Sequence, residues 1–197
     1  MKKILAALLL ISTAAAAQQE QLPFERGFKK QNIFSGGSLN LGASSGSFTV
    51  GAIPEIGYSV AEWLDAGLVF NLNYQSFSAR YNNGFKSNNF NYGAGGFVRL
   101  YPLRFLFFQA QPEHNWTTIR ERDVYNTNTL QVYHMQSTSF LTGVGYSSRV
   151  IGQTNFYLLL MIDLMTDINS PYRNYGNQAT PVVRTGFNFY LHPARKK

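Results

Sequence analysis

Cysteine is absent from the 197 residues, charged side chains make up only 14% of them, and histidine occurs just three times, at His114, His134 and His192. Without cysteine there is no disulfide scaffold, thiolate zinc site, iron–sulfur cluster, Cys nucleophile or lipid-modified N-terminal Cys. A long apolar run is also missing. Beyond the N-terminal region the longest is Phe156 to Ile162, far short of the roughly 20 residues that a membrane-spanning helix needs. The formal charge of +7 invites a nucleic-acid reading, but Lys2, Lys3, Arg195, Lys196 and Lys197 supply five of those charges, leaving +2 over residues 18–194. No clustered basic patch is visible, so no nucleic-acid partner is expected.

The N-terminus reads as an export address. Lys2 and Lys3 precede the apolar run Ile4 to Ile11, then Ser12, Thr13 and Ala14 to Ala17. A positive stretch, a short apolar stretch and a small-residue cleavage site are the three parts of a secretory signal peptide. The division predicted is a signal over 1–17, a periplasmic segment over 18–31, a barrel over 32–191 and a basic tail over 192–197.

The body of the chain is rich in what remains, with 16 Phe, 12 Tyr and 17 Gly, and it alternates with a period of two. Phe48, Val50, Ala52, Pro54, Ile56, Tyr58 and Val60 interleave with Thr49, Gly51, Ile53, Glu55, Gly57 and Ser59. Leu68, Phe70 and Leu72 interleave with Val69, Asn71 and Asn73, and Leu158, Leu160 and Ile162 with Leu159, Met161 and Asp163. Equivalent segments lie at 33–44, 90–101, 106–113, 140–148 and 183–191. Period two is the signature of strands with chemically different faces.

The predicted fold is all-β, an eight-stranded antiparallel up-and-down transmembrane β-barrel. Long connections at 79–88, 117–136 and 166–180 alternate with short ones at 61–63, 102–104 and 148–153, as in barrels with external loops and short periplasmic turns. A soluble barrel would turn its apolar set inward and need a charged exterior. Here the second set is Gly, Ser, Asn and Gln with few charges, which suits a narrow lumen. Glu55, Arg99, Glu113, Asp163 and Arg184 fall on that face and form the predicted lumen network, a polar plug. Tyr58, Trp63, Tyr74, Tyr92, Tyr101, Trp116 and Tyr146 lie near strand ends, where interfacial girdles sit. Pro54 and Pro112 each remove a ladder donor, and bulges are predicted there.

Chemistry is thin. A Ser-His-acid unit would need Ser137 or Ser139 with a carboxylate from another strand, and no His or carboxylate pair has metal-ligand spacing on one face. No catalytic residue, metal or cofactor is predicted. The surface-loop binding candidates are Arg80, Tyr81, Phe85, Arg120, Arg122, Tyr125, Tyr172, Arg173 and Tyr175, because aromatic and Arg side chains are enriched at binding hot spots. Three alternatives stay open: a soluble periplasmic barrel around an apolar ligand, a narrow pore, and a barrel enzyme that modifies lipid.

The segments Pro-Glu-Ile-Gly-Tyr at 54–58, Tyr-Gly-Ala-Gly-Gly-Phe-Val-Arg at 92–99, Asn-Ser-Pro-Tyr at 169–172 and Pro-Val-Val-Arg-Thr-Gly-Phe-Asn-Phe at 181–189 resemble the small outer-membrane β-barrel domain family of the OmpA/OmpX type, or porin family. The resemblance implies the outer membrane of a Gram-negative bacterium, contact with outer-membrane lipid and lipopolysaccharide, and a structural or cell-surface interaction role. Thr185, Gly186, Phe189 and Leu191 resemble the family's C-terminal assembly signal, which implies the outer-membrane insertion machinery as a partner. Leu191 stands where the family carries an aromatic, and six residues follow it.

Overall fold

The computed structural model describes residues 28–125, 128–173 and 176–191. The signal over 1–17, Tyr175 and the tail over 192–197 with His192 lie outside the described residues. Eight antiparallel strands close a barrel in simple sequence order. They are β1 (Ile33–Ala43), β2 (Ser47–Ala61), β3 (Leu64–Phe77), β4 (Phe85–Leu103), β5 (Leu106–Asp123), β6 (Leu130–Ser147), β7 (Asn155–Asp163) and β8 (Val182–Tyr190). Pairing of β1 with β8, from Phe34↔Tyr190 to Ser38↔Gly186, seals the cylinder. Every strand therefore has two neighbours.

The two faces sort as the alternation predicts. Phe70, Leu72, Leu158 and Leu160 point outward at 43–49% exposure, while Asn71 and Asp163 are inside at 1%. A soluble barrel around an apolar ligand would require the reverse.

Inside, the turn end of the barrel holds an apolar layer in two buried clusters, Phe34, Ile53, Val69, Phe97 and Tyr190 in one and Tyr101, Phe107, Leu141, Tyr157, Leu159 and Met161 in the other. Tyr101 thus faces inward at 7% exposure, not outward as a girdle residue. Its parity decides this, because it stands two residues from the inward Arg99 and successive side chains of a strand alternate sides.

The layer is built by one device used four times. Phe34 lies opposite Gly57, Phe97 opposite Gly67, Phe107 opposite Gly145 and Tyr157 opposite Gly186. One such pair lies in each of the β1–β2, β3–β4, β5–β6 and β7–β8 hairpins, and a Cβ on any of these glycines would run into the facing ring. The aromatic lies over the bare backbone of its neighbour, an arrangement that also pins register. Large side chains fit a narrow interior because their partners have none.

Pro54 and Pro112 cause no bulge. Pro54 keeps its place opposite Gly37, and Pro112 opposite Phe140. The β2–β3 ladder skips from Ala52↔Leu72 to Glu55↔Val69, and the β4–β5 ladder from Gly95↔Glu113 to Val98↔Ala110, both without change of register. Each proline lacks one donor toward one neighbour only, so the loss is a gap in a single ladder. The register shifts that do occur lie beside the short turns, at Ser59/Ala61 and Leu100/Leu103.

The strands are unequal. β4, β5 and β6 have 19, 18 and 18 residues, whereas β7 and β8 have 9 each. Much of what reads as loop at 79–88 and 117–136 is therefore strand, and a three-stranded sheet stands above the barrel on one side.

The glycine–aromatic pairs are directly testable. Gly145→Ala places its methyl against Phe107 and is expected to destabilise the fold by about 1–3 kcal/mol through overpacking. Gly42→Ala, whose new Cβ would find its nearest neighbour 3.7 Å away on Thr49, is expected to change stability by less than about 0.5 kcal/mol. Unfolding midpoints of the two variants in detergent micelles, compared with wild type, decide the matter.

Candidate functional site

Above the apolar layer the lumen is filled by polar groups from six strands. Arg99 on β4 meets Glu55 on β2 in a bidentate pair, Nη1 donating to Oε1 at 2.9 Å and Nη2 to Oε2 at 2.7 Å. Arg99 Nε donates to Gln109 Oε1 at 2.6 Å. The chain continues along β5, with Gln109 donating to Gln111 at 2.7 Å and Gln111 to Glu113 at 2.6 Å. Period two aligns these three side chains on one face, close enough for each to satisfy the next. Arg184 on β8 donates to Gln111 at 3.2 Å and stands 4.0 Å from Glu113. Asn115 donates to Glu113 at 2.7 Å, and Asn71 on β3 to Asn115 at 3.1 Å. Asn73 then donates to Asn71, and Asn40 on β1 to Asn73 at 3.3 Å.

Four of the five predicted lumen residues, Glu55, Arg99, Glu113 and Arg184, are thus joined in one network. Asp163 joins them less directly, through Ser170 and Tyr172 of the β7–β8 connection, the Tyr172 N–H donating to Ser170 at 3.3 Å and its hydroxyl to Glu113 at 2.6 Å. It is buried at the loop end of β7, where Oδ1 accepts from the backbone N–H of Phe140 and Met165 at 3.0 Å each and Oδ2 accepts from Ser170 at 2.7 Å. Its place at the last residue of a short strand makes it a loop anchor.

The network rests on aromatics. The Arg99 guanidinium lies 4.5 Å from the Phe97 ring centroid and 4.8 Å from that of Tyr157. Such contacts compensate a buried cation for lost water.

Side chains from two connections close the ends. At the turn end Arg149, between β6 and β7, donates to Asp65 at 2.6 Å and to the carbonyl of Ala61 at 3.0 Å, with its guanidinium 4.3 Å from the Tyr101 centroid. Burial works to lower the proton affinity of Arg149, but Asp65 more than offsets it and holds the guanidinium above its ordinary value. At the loop end the β7–β8 connection folds inward. Tyr172 donates to Glu113 at 2.6 Å and accepts from Asn71 at 2.9 Å and Arg184 at 3.2 Å, while Ser170 meets Ser139 at 3.0 Å. Burial pushes the Tyr172 phenol well above its ordinary range, which keeps its proton on oxygen and available to Glu113.

The surface-loop candidates divide. Arg80 lies over the Tyr81 ring at 5.9 Å in the β3–β4 connection, and Tyr125 is exposed in the β5–β6 connection. Phe85, Arg120 and Arg122 are strand residues of β4 and β5. Tyr172 is drawn into the barrel mouth. Arg173 is occupied within its own connection, donating to the carbonyls of Met165, Asn177 and Asp163.

His114 and His134 face outward and hydrogen-bond Thr138 at 3.1 Å and Thr118 at 3.2 Å. Ser137 and Ser139 point into the barrel, so the serines and imidazoles stand on opposite sides of the sheet. Among the described residues no group of three or more His, Asp or Glu could hold a metal ion.

Comparison with known proteins adds little. No protein-family model matches the chain, and no curated protein matches it. It is similar to a solved structure, the translocator domain of autotransporter NalP from Neisseria meningitidis, at 9% identity and a TM-score of 0.40, over 90% of this chain and 97% of that one. A likeness of that size carries no weight beside the strand register itself.

Tyr172 and Arg149 were missed by the sequence as lumen residues because connections carry no alternation to orient them. Gln109, Gln111, Asn115 and Asn71 were legible in principle from parity alone.

The buried ion pair gives a sharp expectation. Glu55→Ala leaves the Arg99 charge without its carboxylate and should cost about 3–5 kcal/mol, whereas Glu55→Ala with Arg99→Met should cost less than the sum of the single changes. A double-mutant cycle on unfolding free energy in micelles reads the coupling, and strict additivity contradicts it.

Proposed function

We propose that the protein is an integral outer-membrane β-barrel whose lumen is closed and whose work is done at the cell surface. One observation carries this reading: the exterior of a closed eight-stranded wall is apolar. Outward residues such as Leu39, Leu68, Phe70, Leu100, Phe108, Leu160 and Phe187 are all strongly exposed. No water-soluble barrel profits from such a surface, while lipid wets it at no cost and forbids any unpaired sheet edge within its depth. Tyr74, Tyr92, Trp116 and Tyr146 on the same exterior suit an interfacial belt.

The polar chain across the lumen, closed by Arg149 at one end and Tyr172 at the other, supports a plug and not a pore. The interior of eight strands is just wide enough for side chains to fill. We assign no catalytic role: among the described residues His114 and His134 hydrogen-bond threonines on the exterior, away from the inward serines. The signal over 1–17, cleavage after Ala17, and reading of Thr185, Gly186, Phe189 and Leu191 by the insertion machinery belong to the same proposal. Thr185, Phe189 and Leu191 face outward, and Gly186 makes room for Tyr157 within.

The surface role rests on the sheet of β4, β5 and β6. β6 pairs with β7 only from Leu141 to Ser147, so Leu130–Phe140 has no second neighbour strand among the described residues. Asp167 and Asp163 occupy the N–H groups of Thr138 and Phe140. Farther out, this edge suits an extended segment of a partner, which would add as a strand.

Four measurements test the reading. The signal-cleaved protein should sediment with membranes after carbonate washing, migrate differently on gels with and without boiling, and show no conductance steps in planar bilayers. An amine reagent that cannot cross membranes should label Lys86, at the loop end, in intact cells, and reach Lys29 and Lys30, at the turn end, only after permeabilisation. Extraction into the aqueous fraction, or the opposite labelling pattern, overturns location and orientation respectively.

A further inference from the structure

On the described strands, outward-facing charge is confined to one place. The acidic residues of the strands, Glu55, Asp65, Glu113, Glu121, Asp123 and Asp163, all have inward parity, as do Arg99 and Arg184. The remaining strand cations are Lys86, Arg120 and Arg122, and all three face outward and are exposed. Register puts them together. Lys86 lies directly opposite Arg122, and Arg120, opposite Asn88, stands one inter-residue repeat below on the same face. Two like charges facing each other across adjacent strands repel. None of the three forms a salt bridge among the described residues.

Directly below is an aromatic platform. Tyr92 stacks on Trp116 at 5.4 Å between ring centroids, Phe90 meets Tyr92 at 6.0 Å, and His114 stands edge-on to Trp116 at 4.7 Å. Beneath it the exterior is apolar, with Val98, Leu100 and Phe108 exposed. Going up one strand pair, the surface therefore changes from hydrocarbon-like to aromatic to cationic. Arg120 and Arg122 lie four and six residues beyond Trp116, which is about 13 and 20 Å along the strand. Tilt of about 40° reduces that to roughly 10–15 Å above the aromatic belt, the depth of lipid headgroups.

We propose that Lys86, Arg120 and Arg122, over the Tyr92–Trp116 platform, form a binding site for the phosphate-bearing saccharide headgroup of an outer-leaflet glycolipid. This rests on the outer-membrane reading and deepens it by assigning a site. Arg forks and a Lys ammonium bind phosphate oxygens, and sugar rings lie against aromatic faces. The anion removes the repulsion between Lys86 and Arg122. The other described strands carry no outward cation, so the glycolipid is held on the β4–β5 side.

The test uses full-length, signal-cleaved protein carrying Trp63→Phe, so that Trp116 is the single fluorophore, in neutral detergent micelles. Titration with diphosphorylated lipid A should quench Trp116 saturably. Its dephosphorylated form should bind far more weakly, and inorganic phosphate should not compete at equal concentration. Lys86→Gln with Arg120→Gln and Arg122→Gln should weaken binding by about a hundredfold, given a roughly fivefold contribution from each basic residue near an anionic surface. Heat-modifiable mobility of this triple variant should match wild type, and Lys86→Arg should retain binding. Equal binding of phosphorylated and dephosphorylated lipid A, unchanged binding by a folded triple variant, full competition by inorganic phosphate, or tighter binding of a soluble acidic polysaccharide each overturns the proposal. Failure of membrane sedimentation sinks the outer-membrane reading instead, and the two failures are distinguishable.

Discussion

A cylinder of eight strands has an interior only as wide as the side chains that line it, and the rest of the molecule answers to that one dimension. Little inside can be solvated freely, so most polar side chains are satisfied by one another, the Ser137 hydroxyl being an exception. The chain from Glu55 through Arg99, Gln109, Gln111 and Glu113 to Asn115, Asn71 and Asn73 is the result. Width also dictates the glycines. Gly57, Gly67, Gly145 and Gly186 are bare because Phe34, Phe97, Phe107 and Tyr157 occupy the space where their side chains would lie.

The exterior obeys the opposite logic. In the outer-membrane reading proposed above, apolar side chains facing lipid gain no burial from folding, as they would in a soluble core, so the wall is held by its ladders and by what lies inside it. That makes the interior the place where specificity is written, and it explains why a buried ion pair is tolerated. Arg99 is expensive to desolvate, but it is met by two carboxylate oxygens, a glutamine oxygen and two aromatic faces within 5 Å. The same arginine ties β2, β4 and β5 to one another across the lumen, which main-chain ladders between neighbours cannot do.

Strand number, order and facing were legible in the sequence because the exterior and the lumen carry opposite chemistry on alternate residues, as at Phe70 and Asn71. Where that contrast fades, reading failed. Beyond Phe90 and Ile119 both faces are mostly polar, with Asn88, Asn89, Arg120 and Glu121, so the upper parts of β4 and β5 read as loops. What makes them strands is pairing, Asn88 with Arg120 and Lys86 with Arg122, and pairing is a property of the folded sheet. Tyr101 differs for another reason: its place near a strand end suits an interfacial girdle, but its parity with Arg99 turns it inward. Tyr172 and Arg149 had no parity to read, and only the path of the chain brings them to the ends of the lumen.

The uneven height of the wall connects these facts. On the side of β7 and β8 the strands stop after 9 residues, and the lumen would stand open there. The connection that follows, residues 164–181, is correspondingly long, and it is spent inward on Ser170 and Tyr172. On the opposite side the strands continue for 18 or 19 residues, and the β5–β6 connection needs only 124–129. One side of the barrel uses its chain to close the interior, and the other uses its chain to extend a surface. The outward cations lie on the tall side, so the barrel has a front, and the division of length between lid and sheet is what gives it one.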